Sequence, residues 1–277
     1  MILRVFPRRT SQTPADAYAV IGSPLFLPKD IVEVHVSCLF TWDRPLCEDL
    51  VHVYERRLPG IPVQLGGPAI EGSNTDDVFV PGLYVRRGVI HTSRGCPNKC
   101  PWCLVPEREG ALKELAVSEG RIIQDNNFLA CSKRHRRKVY RMLRSQRRVR
   151  FLGGLESARL TQWDADQIRA LRVKELWFAA DTDSAVKRLQ RVARMFSGMP
   201  RNKLRCYVLC AYAGQTIEQA EERLRRVWGL GFLPFAQLYR EPFVGKAQYP
   251  KEWRYLARLW SRPAIMKVRM RPQGDLT

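Results

Sequence analysis

Val89-Ile90-His91-Thr92 is a short β-branched run that empties into Ser93-Arg94-Gly95-Cys96-Pro97-Asn98-Lys99-Cys100-Pro101-Trp102-Cys103. The run reads as a strand because β-branched residues suit a pleated, half-buried surface and turn formers bound it. The loop that follows carries three cysteines at C-x3-C-x2-C spacing. Thiols this close in sequence can converge on one inorganic centre. What surrounds the loop decides the architecture.

Downstream, a β-then-α rhythm repeats. Strands are expected at Arg121–Gln124, Val149–Leu152, Glu175–Ala180, Leu204–Leu209 and Phe232–Leu238, with helices over Ser132–Ser145, Trp163–Leu171, a segment carrying Ala185, Leu189, Val192 and Ala193, and Thr216–Trp228. Pro234 points to an edge position for the last strand, because proline has no N–H for a second neighbour. Five or six such units fall short of the eight that close a barrel. In parallel α/β sheets ligands sit beyond the carboxyl ends of the strands. The cysteine loop, Asp125-Asn126-Asn127, Glu156, Asp181, Gly214 and Gln237 all fall at such ends and are expected to face one cleft.

Upstream, residues 1–30 read as a short strand followed by loop. Ile31–Ser37 alternates as a strand, Leu46, Leu50, Val53 and Tyr54 fall at helical spacing, and Ile61–Leu65 runs into Gly66-Gly67-Pro68. Strand, helix, strand makes a βαβ unit, the smallest piece of a parallel sheet. Gly72–Gly88 has the composition of a linker. The expected fold is therefore α/β: a small α/β region over 1–85, a partial (β/α)6 TIM-like barrel over 86–241, and a helical, basic extension over 242–277.

The chain of 277 residues carries 47 Lys and Arg against 27 Asp and Glu, a formal charge of +20. Such an excess concentrates polyanions, so nucleic acid is the first partner to consider, a solvated Arg-rich surface being the bland alternative. Between Lys133 and Arg150, eighteen residues hold ten cations and no acid. Lys133, Arg134, Arg136, Arg137, Lys138, Arg141 and Arg144, with Tyr140 interleaved, are the candidate phosphate-backbone track. Lys187–Arg205 extends it. No apolar run approaches the length of a membrane span, and Met1–Arg9 has no uninterrupted apolar core, so the expected location is cytoplasmic, with no membrane partner.

The cysteine loop admits two kinds of centre. A structural zinc site closes its shell with four protein ligands, often as two separated pairs, and a fourth ligand is missing here, His91 lying five residues before Cys96 in the strand. A four-iron cluster normally takes four thiolates, so a loop offering three leaves one iron open to an exogenous molecule.

The spacing, the aromatic Trp102 before the last cysteine, and the β/α series that follows resemble the radical S-adenosylmethionine superfamily over about Val89 to Glu241. The resemblance implies that Cys96, Cys100 and Cys103 hold a [4Fe–4S] cluster whose open iron binds S-adenosyl-L-methionine. A reductant such as flavodoxin or ferredoxin would drive cleavage to methionine and a 5′-deoxyadenosyl radical. It also implies cofactor contacts from Trp102, Asp125, Asn126 and Asn127, which stand where the family has a Gly-Gly-Glu-like element, and from Glu156, Arg159, Asp181 and Gly214. The first 85 residues resemble a shortened cobalamin-binding-type domain without an evident cobalt-ligating histidine motif, so cobalamin is not expected. The rival reading is a metal-stabilised nucleic-acid-binding protein, holding zinc or iron–sulfur, without turnover.

Overall fold

Alternating apolar residues build the first of two parallel sheets in the computed structural model, which describes residues 1–70, 79–241 and 248–270. The fold is mixed α/β. Contacts divide the chain into two compact units, one of residues 1–90, 107–109 and 240–247, the other of 91–106, 110–239 and 248–277.

In the first unit, β1 (Ile2–Phe6), β2 (Ala19–Ile21), β3 (Glu33–Ser37), α1 (Arg44–Arg57) and β4 (Val63–Gly66) form a sheet of order β2-β1-β3-β4. Every pairing in it is parallel. Residues 1–30 thus hold two strands rather than one followed by loop. β2 is three residues long, too short to show an alternation, and the stretch between it and β1 is about the dozen residues that a parallel crossover needs. Leu3, Val5, Val34 and Val36 meet Cys47, Leu50 and Tyr54 of α1 in one core. Gly67 has φ +109°, and a Cβ there would stand 2.6 Å from the Cys38 carbonyl oxygen, so Gly67 is a close backbone approach that requires glycine, while Gly66 has open space where a side chain would stand.

β5 (Val89–Ile90) precedes the cysteine loop. The strand stops two residues earlier than expected, because Ser93–Arg94 turns away as β6 and, beyond the short helix α2 (Val105–Glu109), pairs antiparallel with β7 (Lys113–Glu114). Then come β8 (Ile122–Ile123), α3 (Lys133–Leu143), β9 (Arg147–Leu155), α4 (Gln162–Arg169), β10 (Arg172–Ala179), α5 (Asp183–Met195), β11 (Leu204–Cys210), α6 (Ile217–Gly229) and β12 (Leu233–Leu238). The sheet order is β12-β11-β10-β9-β8-β5, with parallel pairing from β8 through β12. β12 stands last in that order, the position where Pro234 costs no ladder bond.

Each crossover helix between β8 and β12 starts from a hydroxyl just past a strand or turn. Ser132, Thr161, Thr182 and Thr216 accept from the backbone N–H three residues on, and Thr161–Asp164 and Thr216–Gln219 close capping boxes. The apolar faces of these helices, with Val139, Ala165, Ile168, Val186, Leu189 and Leu224 buried, cover the sheet. β9 runs through Gly153-Gly154, which the sequence suggests as a strand end. A Cβ on Gly153 would lie 1.8 Å from the Asp125 carbonyl oxygen, so the glycine allows the strand to continue beside the chain that leaves β8.

α7 (Lys251–Trp260) packs on β12 and α6, and α8 (Pro263–Arg269) follows it. Trp260 is buried as core, while Tyr255 is 61% exposed. The expected linker falls partly, at 72–78, and the C-terminal extension partly, at 242–247 and 271–277, outside the described residues. No helix among the described residues is long and apolar enough to cross a membrane.

Candidate active site

The cysteine loop is tied at its neck. Ser93 and Arg94 pair with Glu114 and Lys113, Cys96 N donates to the Gly110 carbonyl at 3.3 Å, and Leu115 N donates to the Thr92 carbonyl at 2.9 Å. Gly95 takes φ +75°, and a side chain there would meet the Ala111 carbonyl at 2.3 Å. The Asp125 carboxylate braces the same neck, accepting from Thr92 N at 2.6 Å, Thr92 Oγ1 at 2.5 Å and Ser93 Oγ at 2.9 Å. Its side chain is buried, and burial pushes its pKa up against these donations. Asp125 therefore holds the loop in place, with its carboxylate turned to the backbone and hydroxyls of 92–93.

Two positions on, Asn127 does face the thiols. Its Nδ2 donates to Glu156 Oε2 at 2.7 Å and stands 3.6 Å from Cys96 Sγ. Arg159 Nε donates to the same Glu156 oxygen at 2.7 Å. The other amide atom, Asn127 Oδ1, is buried and has no partner among the described residues, as is true of Ser157 Oγ beside Glu156. Buried polar atoms left without partners are costly, so each calls for an explanation. Asn126 lies between Asp125 and Asn127, half-buried.

Cys96 and Cys100 are half-buried and Cys103 is exposed. Burial, then the charges of Cys103, Cys96, Asp181 and Glu156, raise the Cys100 thiol above its ordinary pKa. Cys100 thus shares its surroundings with the other two thiols and with carboxylates from the ends of β9 and β10. Asp181 accepts from Leu209 N at 2.9 Å; burial pushes its pKa up, eased by that donation and by Arg223. Trp102 stands edge-on to Tyr212 at 5.5 Å, and Tyr212 edge-on to Tyr239 at 4.8 Å. The turn that carries Tyr212 is strained: Ala211, Ala213 and Gly214 have φ of +61°, +51° and +74°. Left-handed backbone at alanine costs about 1 kcal/mol or more and persists where surrounding structure imposes it. No residue pattern announces Ala211 as such a position.

The strand ends thus bring together Cys96, Cys100, Asn127, Glu156, Arg159 and Asp181, with Trp102 against the Tyr212 turn that leads to Gly214. Among the described residues, no three His, Cys, Asp or Glu side chains already surround one metal-sized point. The three thiols supply the soft donor set that iron–sulfur clusters and zinc take, on a loop whose neck is fixed. His91, just past β5, has its pKa lowered to about 4, by burial first and then by Arg94. It is a neutral, packed ring at neutral pH.

The basic helix divides in two. Lys133, Arg134, Arg137, Lys138, Arg141 and Arg144 are exposed. Arg136 instead pairs with Asp164, a fully buried carboxylate that also accepts from Tyr140 OH at 3.0 Å and Thr161 Oγ1 at 2.6 Å. Tyr140 is buried between Phe128 and Trp163. Two members of the expected phosphate track, Arg136 and its aromatic Tyr140, therefore hold α3 to α4 and are not offered to a ligand. Helical spacing explains the division: 136, 140 and 143 share one face.

No protein-family model matches the chain, and no curated protein matches it.

Proposed function

We propose that this chain is a radical S-adenosylmethionine enzyme acting on a nucleic acid or a nucleotide-like anion. One observation carries the reading: a C-x3-C-x2-C loop, pinned at its neck, stands among unpartnered or charged polar groups at the carboxyl ends of consecutive parallel strands. We read the second sheet as an open, partial (β/α)6 barrel, because its strands succeed one another in order from β8 to β12 with a helix in each crossover.

In this reading Cys96, Cys100 and Cys103 hold a [4Fe–4S] cluster. When bound, the cluster supplies the electron that splits S-adenosylmethionine reductively into methionine and a 5′-deoxyadenosyl radical. The chain's own groups bind and orient. Glu156 offers a carboxylate to an ammonium and Arg159 a guanidinium to a carboxylate, so a zwitterionic amino acid exchanges for the Glu156–Arg159 pair without leaving either charge unmatched. Asn127 Oδ1 and Ser157 Oγ gain partners in the same exchange. The Tyr212 turn with Gly214, whose missing side chain leaves open space, borders a flat aromatic base. Flavodoxin or ferredoxin is the class of reductant that fits.

Anaerobic reconstitution with iron and sulfide tests the reading. The wild-type chain should take up iron and sulfide in equal amounts with a broad visible absorption, and Cys96→Ser, Cys100→Ser or Cys103→Ser should each lose most of it. A colourless protein holding one zinc, unchanged by iron, would replace this reading with that of a metal-stabilised nucleic-acid binder.

A further inference from the structure

The opposite ends of the same strands carry a second surface. An open groove of about 770 Å³ lies where β9, β10 and β11 begin, lined by Arg147, Arg148, Arg172, Lys174 and Lys203 together with Asn202. We propose that this groove binds the phosphate backbone of a nucleic acid.

Charge argues first. No carboxylate lines the groove, and among the described residues none of its five cations has an acidic partner. Some arginines of the second unit are neutralised in place, Arg136 on Asp164, Arg150 on Glu175 and Arg226 on Asp183, whereas the groove gathers five cations with none. Arg147 and Arg172 are moreover direct partners across the β9–β10 ladder. Like charges facing each other across a sheet repel, and a sheet tolerates them at little cost only when an anion sits between or solvent screens them. Arg148 adds a left-handed backbone, φ +59°, between strand residues. An arginine held in that region is an uncommon local cost, and it falls at the register shift where Arg147 pairs with Arg172 and Val149 with Val173.

Shape selects the anion. A site for a small phosphate compound is concave and closes most of the ligand from water, whereas this groove is open and its three arginines and two lysines come from the starts of three strands. The chain enters β9 directly from the basic helix, Arg144 capping α3 three residues before Arg147, so exposed arginines continue up to the groove. The groove is also remote from the thiols. β9 alone separates Arg147 from Glu156 by about 30 Å at roughly 3.3 Å per residue. A single ligand touching both ends must be a polymer, and a groove used on its own serves to recruit one.

The proposal concerns binding only and stands whether or not the cysteine loop carries out the chemistry above. Fluorescence anisotropy of a labelled RNA of about 20 nucleotides is read across a salt series with the full chain and with Arg147→Gln/Arg172→Gln/Lys203→Gln. The triple variant should bind at least tenfold more weakly, and the slope of log K against log[salt] should become shallower by about two, as three lost contacts at ~0.7 each dictate for a single strand. Its melting temperature should not fall, since the facing arginines repel. Unchanged affinity and slope would overturn the proposal, as would inorganic triphosphate competing with the affinity of the RNA itself. Arg137→Gln/Lys138→Gln serves as a second variant: loss of all binding there, with the groove variant intact, would assign the contact to α3 instead and refute the groove.

Discussion

Asn127 joins a thiol to a carboxylate, and its two amide atoms are used unequally. Nδ2 reaches Glu156 and Cys96, while Oδ1 is buried without a partner. Asn127→Ala should lower stability by about 2 kcal/mol, the usual worth of a hydrogen bond to a charged group, as read by urea unfolding. Asn127→Asp should cost more, because it sets a carboxylate against Glu156. A different residue makes stability depend on pH below neutrality. The His91 pKa is lowered to about 4 from an ordinary 6.5, so the unfolded chain binds a proton that the folded one refuses between those values. Its contribution is full above pH 6.5 and is lost as pH falls toward 4. Guanidinium melts should show stability declining through that window, and His91→Gln should flatten the decline. The sequence made the three cysteines legible by spacing alone, and it put Asn127, Glu156 and Asp181 at strand ends. It did not show that Asp125 turns inward to Thr92 and Ser93, because two adjacent polar residues at a strand exit look alike until the backbone fixes which one points back.

At the scale of elements, the helices of the second sheet were readable by apolar spacing, and α3 to α6 each add a hydroxyl cap, as Thr161–Asp164 and Thr216–Gln219 illustrate. Thr216→Ala should cost about 1 kcal/mol and leave the fold intact. Gly153→Ala should be far worse: its Cβ would be forced against the Asp125 carbonyl, between the chain leaving β8 and β9. We expect Gly153→Ala to lose cooperative unfolding or to drop the melting temperature by more than about 10 °C, on the order of 3–5 kcal/mol for a domain of this size; a melt matching the wild type would show that the two segments do not approach so closely. The elements that escaped sequence reading are the short ones. β2 has three residues and β6 and β7 two each, below the length at which alternation exists. β6 and β7 hold Ser, Arg, Lys and Glu, so their pairing is specified by the neck of the loop and not by a hydrophobic pattern.

For the whole molecule, the second sheet has Asn127, Glu156 and Asp181 at its carboxyl ends and, at its amino ends, cations with no acidic partner among the described residues. A net charge of +20 pointed to a polyanion without locating it, and the segment richest in cations proved to spend Arg136 and Tyr140 on its own packing. Linear charge density cannot separate a helix's solvent face from its buried face, nor reveal that Arg147 and Arg172, far apart in sequence, become neighbours. The proposed chemistry rests on the thiols. Its most direct test is to reconstitute the chain anaerobically with iron and sulfide, add dithionite and S-adenosylmethionine, and assay for 5′-deoxyadenosine. The wild-type chain should give 5′-deoxyadenosine and methionine in equal amounts, and Cys100→Ser neither. A chain fully loaded with iron and sulfide that leaves S-adenosylmethionine intact would contradict it.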